Sequence, residues 1–174
     1  MIPVLGFEGV SAIEAIGALA AFRAARLDAE LVSDEPLIAT HEGGARLVPA
    51  RLGYATLPGA ACVFVPGGDI TKAMRDSALT RALRARRGHW TLASGDGAAL
   101  IAAAGLAEGR RVAGPTTARV VADGRLVTSA PGDAAADLAL HYVAREHGDE
   151  RAAKAAHAMG REYRPFAMGA SHEP

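Results

Sequence analysis

With 174 residues, 50% of them hydrophobic, and a mean hydropathy of +0.12, the chain has material for one domain with a sizeable core, which excludes a disordered or fibrous protein. Its 19 Lys plus Arg balance 19 Asp plus Glu, so no global field favours nucleic acid, an anionic membrane or an acidic substrate, and a net charge of zero fits self-association. A single cysteine, Cys62, excludes an internal disulfide and any multi-cysteine metal site, and points to a reducing compartment.

The chain opens Met1-Ile2-Pro3-Val4-Leu5-Gly6-Phe7-Glu8, without a basic segment or cleavage pattern, and no uncharged apolar stretch reaches the roughly 18 residues of a membrane span. The expectation is a soluble, cytoplasmic protein. Residues 2–7 read as an apolar strand, 11–26 as a helix carrying Ile13, Ile16, Leu19 and Ala20, and 29–33 as a second strand. Strand, helix and strand at this spacing form a βαβ unit and imply a largely parallel sheet. Residues 37–40 and 46–51 read as a small hairpin across Gly43-Gly44. Residues 61–65 form a central strand ended by Pro66-Gly67-Gly68, placing Cys62 in the core, and residues 71–86 are expected to be one helix. Arg81, Arg84, Arg86 and Arg87 are read as that helix's solvated face and last turn.

Next comes a strand from Trp90 that bends at Ser94-Gly95-Asp96-Gly97 into a helix reaching Ala104. Residues 111–113 and 118–122 are expected strands, Asp123-Gly124-Arg125 a tight turn and 126–129 its return strand. Helices over 133–146 and 149–159 follow, and the tail with Tyr163, Pro165, Phe166 and Met168 reads as a strap over the fold or a dimer. There is no repeat and no linker, so residues 1–174 are expected to form a single domain.

Parallel sheets bind ligands at the carboxyl ends of their strands. Two readings of Asp96 stand side by side there: a helix N-cap, or an acid held at a tight bend that Gly95 and Gly97 open to a ligand. Glu14, in the first turn of the first helix, faces either solvent or Asp96; if the two carboxylates share a pocket, the pair holds a single proton and can serve as a general acid and base. Gly67 and Gly68 offer backbone N–H groups as an anion cradle. The six histidines show no HxxxH or HExxH spacing, so no metal is expected, and His141 reads as a packing or interface residue. Without GxGxxG or GxxxxGK[ST] after a strand, no nucleotide cofactor is expected, and 5% aromatic residues not interleaved with basic ones offer no nucleic-acid surface.

Four stretches in this order resemble the DJ-1/PfpI (ThiJ) superfamily of class I glutamine-amidotransferase-like domains, most closely its isocyanide-hydratase-like branch. They are Phe7-Glu8-Gly9-Val10 with Glu14; Leu47-Val48-Pro49 leading to Val63-Phe64-Val65-Pro66-Gly67-Gly68; the elbow through Gly105-Leu106-Ala107-Glu108-Gly109-Arg110-Arg111; and residues 123–129 followed by Asp137-Leu138-Ala139-Leu140. The resemblance implies an α/β, flavodoxin-like three-layer sandwich with a mostly parallel central sheet, a homodimer, and a cysteine at the elbow hydrogen-bonded by an acid of the first helix. Glu14 matches the acid, and Asp96 is aligned with the cysteine. The histidine that often follows the Gly-Arg-Arg segment has no counterpart between Val112 and Arg119, while oxyanion donors are expected at Gly68 and Gly97. Three readings follow: a divergent, non-catalytic homodimer binding a small metabolite; a hydratase, lyase or hydrolase using Asp96 as base or nucleophile with Glu14; and a structural or regulatory protein in which Asp96 imitates an oxidised cysteine.

Overall fold

In a computed structural model, residues 1–113, 120–163 and 165 are described. Strand β1 (Ile2–Leu5), helix α1 (Ala12–Ala24) and strand β2 (Ala29–Ser33) make the first crossover, with β1 and β2 parallel. The expected hairpin forms only as the two-residue pair β3 (Ile38–Ala39) and β4 (Arg46–Leu47). The chain then leaves it, and β5 (Arg51–Leu52) joins the main sheet parallel to β2. Strand β6 (Cys62–Val65) pairs with β1.

Residues 71–86 do not form one helix. Asp76 adopts an extended backbone and its carboxylate accepts from the N–H groups of Ala78 and Leu79, so α2 starts at Ser77 and runs to Arg84, preceded by a 3-10 turn at Ala73–Arg75. An N-cap with this geometry stops helix propagation from the preceding side. Strand β7 (Trp90–Ser94), helix α3 (Gly97–Ala103), the hairpin β8 (Val120–Asp123) and β9 (Leu126–Ser129), and helices α4 (Ala134–His147) and α5 (Asp149–Ala158) complete the order. The strand expected at 111–113 is irregular: the Arg111 N–H donates to Asp123 and the Ala113 N–H to Thr128 Oγ1, side-chain partners in place of a ladder. The expected strand at 118–122 begins outside the described residues, as do Phe166 and Met168 of the tail.

The main sheet runs β5-β2-β1-β6-β7-β9-β8, parallel except for the antiparallel edge strand β8. Helices α1, α4 and α5 pack together on one face and α2 and α3 on the other, giving an α/β three-layer sandwich of flavodoxin-like type. Every residue of β1, β6, β7 and β9 is buried, and β1 and β6 accordingly read as continuous apolar runs, while β7 and β9 also bury Thr91, Ser94, Thr128 and Ser129. Between sheet and helices, Phe22 meets Phe64 and Tyr142 edge to face, and Trp90 meets Tyr142 likewise. Cys62 is fully buried and burial pushes its thiol up, the behaviour of a core residue. Among the described residues no helix is long and apolar enough to cross a membrane.

Arg86 departs from its expected role. It is fully buried and its guanidinium donates to the carbonyls of Leu57, Ala60 and Trp90, fastening the amino ends of β6 and β7. Arg81, Arg84 and Arg87 are exposed as expected. Arg86 follows the helix rather than continuing it, so helical spacing does not predict which way its side chain points.

Candidate functional site

The sheet order reverses direction between β1 and β6: β1 crosses to β2 on one side and pairs with β6 on the other. At such a switch point the loops at the carboxyl ends diverge and leave a crevice. Glu14 lies there. Ser11 caps α1, its hydroxyl accepting from the Glu14 N–H at 3.4 Å, and Glu42 of the β3–β4 loop accepts from Ser11 Oγ at 2.6 Å and from the Ala12 N–H at 2.9 Å. With the helix start satisfied by Ser11 and Glu42, the Glu14 carboxylate need not fold back as a cap.

It points over the sheet edge instead and is only 3% exposed. Oε2 accepts from the Gly67 N–H at 2.6 Å and from Ser94 Oγ at 2.5 Å, and Oε1 accepts from the Gly132 N–H at 2.9 Å. These donors follow or end β6, β7 and β9, so one carboxylate ties together the carboxyl ends of three strands. Burying it without such donors would cost several kcal/mol, roughly, and charge-assisted hydrogen bonds offset that cost. The half-solvated reading of Glu14 is therefore not what the fold adopts.

Asp96 is placed differently. Its backbone is already in the right-handed helical region (φ −66°, ψ −13°), its side chain accepts no capping bond from α3, and it is exposed. Among the described residues it makes no hydrogen bond with Glu14, whose oxygens both have other donors. The residue at the corner is Gly95, with φ +50°. A Cβ built on it would lie 3.0 Å from Glu14 Oε1 and 3.0 Å from Pro131 Cβ. The side-chain direction aimed at Glu14 thus belongs to position 95. Gly97 is needed for a second reason: a Cβ there would run into the Val65 carbonyl oxygen and come within 2.7 Å of that of Pro66.

Of the glycines singled out in the sequence, Gly95 lines a cleft of about 470 Å³ together with Asp96, Ala99, Ala102, Val112 and Pro131. Gly67, Gly68 and Gly97 do not line it. The Gly67 N–H is spent on Glu14 and its carbonyl accepts from the Ser11 N–H. Gly68 forms an antiparallel bridge with Val10. Ser94 and Gly132, missed in the sequence, complete the carboxylate's donor set. Ser94 is itself fully buried, which keeps its hydroxyl from acting as a nucleophile on an incoming molecule. His141 is buried on α4, and burial, then Arg145, pulls its pKa down. Among the described residues no group of three or more His, Cys, Asp or Glu could hold a metal ion.

The family model described as the DJ-1/PfpI family matches residues 1–145. The chain belongs to the DJ-1/PfpI family. Solved structures repeat its fold: oxidized DJ-1 of Toxoplasma gondii superposes with a TM-score of 0.82 at 21% identity, covering 93% of this chain and 98% of that one. A THiJ/PfpI family protein from Pseudomonas syringae superposes with a TM-score of 0.82 at 23% identity, covering 99% and 78%. Drosophila melanogaster DJ-1beta gives 0.79 at 20%, covering 93% and 98%. No curated protein matches by sequence. At these identities the likeness carries the DJ-1/PfpI fold, while the chemistry has to be argued from the site.

Proposed function

We propose that this DJ-1/PfpI protein binds a small metabolite at the elbow cleft without catalysing its conversion, and that its family's cysteine position corresponds to Gly95 rather than Asp96. The observation that carries this reading is the corner geometry. Residue 95 has the positive φ and the side-chain direction toward Glu14, and glycine brings no nucleophile to it. Asp96 sits one residue on, exposed and apart from the carboxylate it would need as a partner. The alternative of an Asp96–Glu14 hydratase, lyase or hydrolase requires a proton shared by the two groups, and both Glu14 oxygens are engaged elsewhere.

A homodimer belongs to the same proposal. Ile13 and Ile16 on α1 are 58% and 52% exposed, flanking the buried Glu14, and an apolar patch of this kind on a helix beside the site favours a second copy of the chain. The proposed nearness to the isocyanide-hydratase-like branch rests on the four stretches of the sequence taken together and in order.

The test is an amide-detected NMR screen of small metabolites, with product assays on every hit. Shifts at Gly95, Asp96, Ala99 and Ala102 without turnover support the proposal. Turnover by the native protein that Asp96→Asn abolishes overturns it in favour of the Asp96-dependent enzyme.

A further inference from the structure

The geometry points to a small organic cation, an amine carrying a short apolar body, as the class of molecule that the elbow cleft holds, with its ammonium on Asp96. This inference rests on the small-molecule reading above and adds the chemistry of the ligand. The cleft has two polar side chains among its described lining residues, Asp96 and Ser129, and a large apolar remainder. Ala98, Ala99 and Ala102 face it from α3 and Val112 and Pro131 close it from the other side, so its walls offer contact to methylenes and few hydrogen-bonding side chains. Asp96 is the one ionisable side chain among the described lining residues.

The state of that carboxylate is informative. A residue directly before a helix ordinarily spends its oxygen on that helix's free N–H groups. Asp96 does not: no N–H of α3 donates to its side chain, and it makes no ion pair among the described residues. Asp96 is exposed at the rim of an apolar cleft, so its carboxylate faces solvent and is open to a donor. An ammonium can replace that solvent with up to three N–H donors and charge assistance. A second carboxylate, Glu14, lies behind the corner, with Oε1 3.0 Å from where a Cβ on Gly95 would be. With Asp96 at the rim and no basic residue among the described lining residues, the cleft disfavours an anionic ligand. The alanines of α3 end at Cβ and leave space for the ligand's apolar part beside its charged head.

Hexylammonium, 1-hexanol and hexanoate share a chain and differ in the head, so titrating each into the full-length protein separates the two levels of the argument. Hexylammonium is expected to bind at least about threefold more tightly than 1-hexanol, with hexanoate weakest, and only the ammonium should lose affinity as salt is raised. Asp96→Asn should bring the ammonium down to the level of the alcohol. Ala102→Trp, at an exposed helical position, should fill the cleft and abolish binding of both, with circular dichroism confirming that each variant folds. If the alcohol binds as well as the ammonium, or Asp96→Asn leaves their difference intact, the cation assignment is wrong while the cleft remains a binding site. Absence of binding by all three, or binding indifferent to Ala102→Trp, overturns the cleft reading and the cation assignment together.

Discussion

The two ends of the central sheet each carry one buried charged side chain that organises backbone, with opposite consequences. At the carboxyl end, Glu14 accepts from Gly67, Ser94 and Gly132 and gathers the ends of β6, β7 and β9. At the amino end, Arg86 donates to Leu57, Ala60 and Trp90 and gathers the starts of β6 and β7. Neither has a buried ion of opposite charge among its hydrogen-bond partners. Each is offset by fixed dipoles, peptide groups around Arg86 and two peptide N–H groups plus the Ser94 hydroxyl around Glu14, which is how a lone charge survives burial. The carboxyl end has donors on both carboxylate oxygens and lies beside the cleft that Gly95 lines. The amino end is closed over and less completely satisfied: Arg86 Nε and Trp90 Nε1 find no acceptor among the described residues, and burial pulls the guanidinium's pKa down. One end is a structural clamp, and the other is a clamp beside an opening.

If Arg86 is only a clamp, its removal should be the most damaging change. Arg86→Met removes the guanidinium donors of three carbonyls, of which that of Leu57 keeps the Ala60 N–H, and is expected to cost about 3–5 kcal/mol in chemical denaturation. Arg86→Lys should recover little, because one ammonium on a flexible stem cannot reproduce the planar fork. Glu14→Gln keeps the shape but turns an amide NH₂ toward a donor, and about 2 kcal/mol should be lost. If Glu14 proves nearly neutral to this change, the carboxyl end is not held by it and the comparison fails.

A neutral group at the same edge sharpens the contrast. The Tyr54 hydroxyl donates to the Gly6 carbonyl after β1, and burial raises its pKa to about 12. The folded state therefore keeps this proton where the unfolded chain gives it up. The stabilisation is fully present below the unfolded tyrosine value near 10 and is lost as pH rises through 12. Tyr54→Phe should cost about 1 kcal/mol at neutral pH and flatten part of the alkaline decline, as followed by fluorescence-detected unfolding. Tyr142 and Tyr163 shift in the same direction, so the decline is reduced rather than removed.

Much of the fold is legible in the chain because the parallel strands are buried on both faces and appear as apolar runs, from Ile2 to Leu5 and from Cys62 to Val65. Helix α2 is misjudged by apolar spacing alone, since Asp76 caps it five residues past the expected start at Thr71. The candidate site is legible only in part. Glu14 stands out as an acid within an apolar pattern, but its donors lie 53, 80 and 118 residues away in the chain, and no local periodicity connects them. The corner is displaced by one residue in the sequence reading. Asp96 draws the eye as the charged residue, whereas the strand ends at Ser94 and the positive φ falls on the next residue. The glycine itself was the available signal, since the left-handed region at a strand-to-helix corner favours it.

Placement of residue 95 is the claim on which the account turns. The most direct test is to introduce cysteine separately by Gly95→Cys and Asp96→Cys, confirm that each folds, and determine both crystal structures with alkylation rates measured in parallel. The account predicts that the thiol at 95 lies within hydrogen-bond reach of Glu14 Oε1, while the thiol at 96 faces solvent and is alkylated faster. A thiol at 96 turned onto Glu14, with the one at 95 turned away, would contradict it.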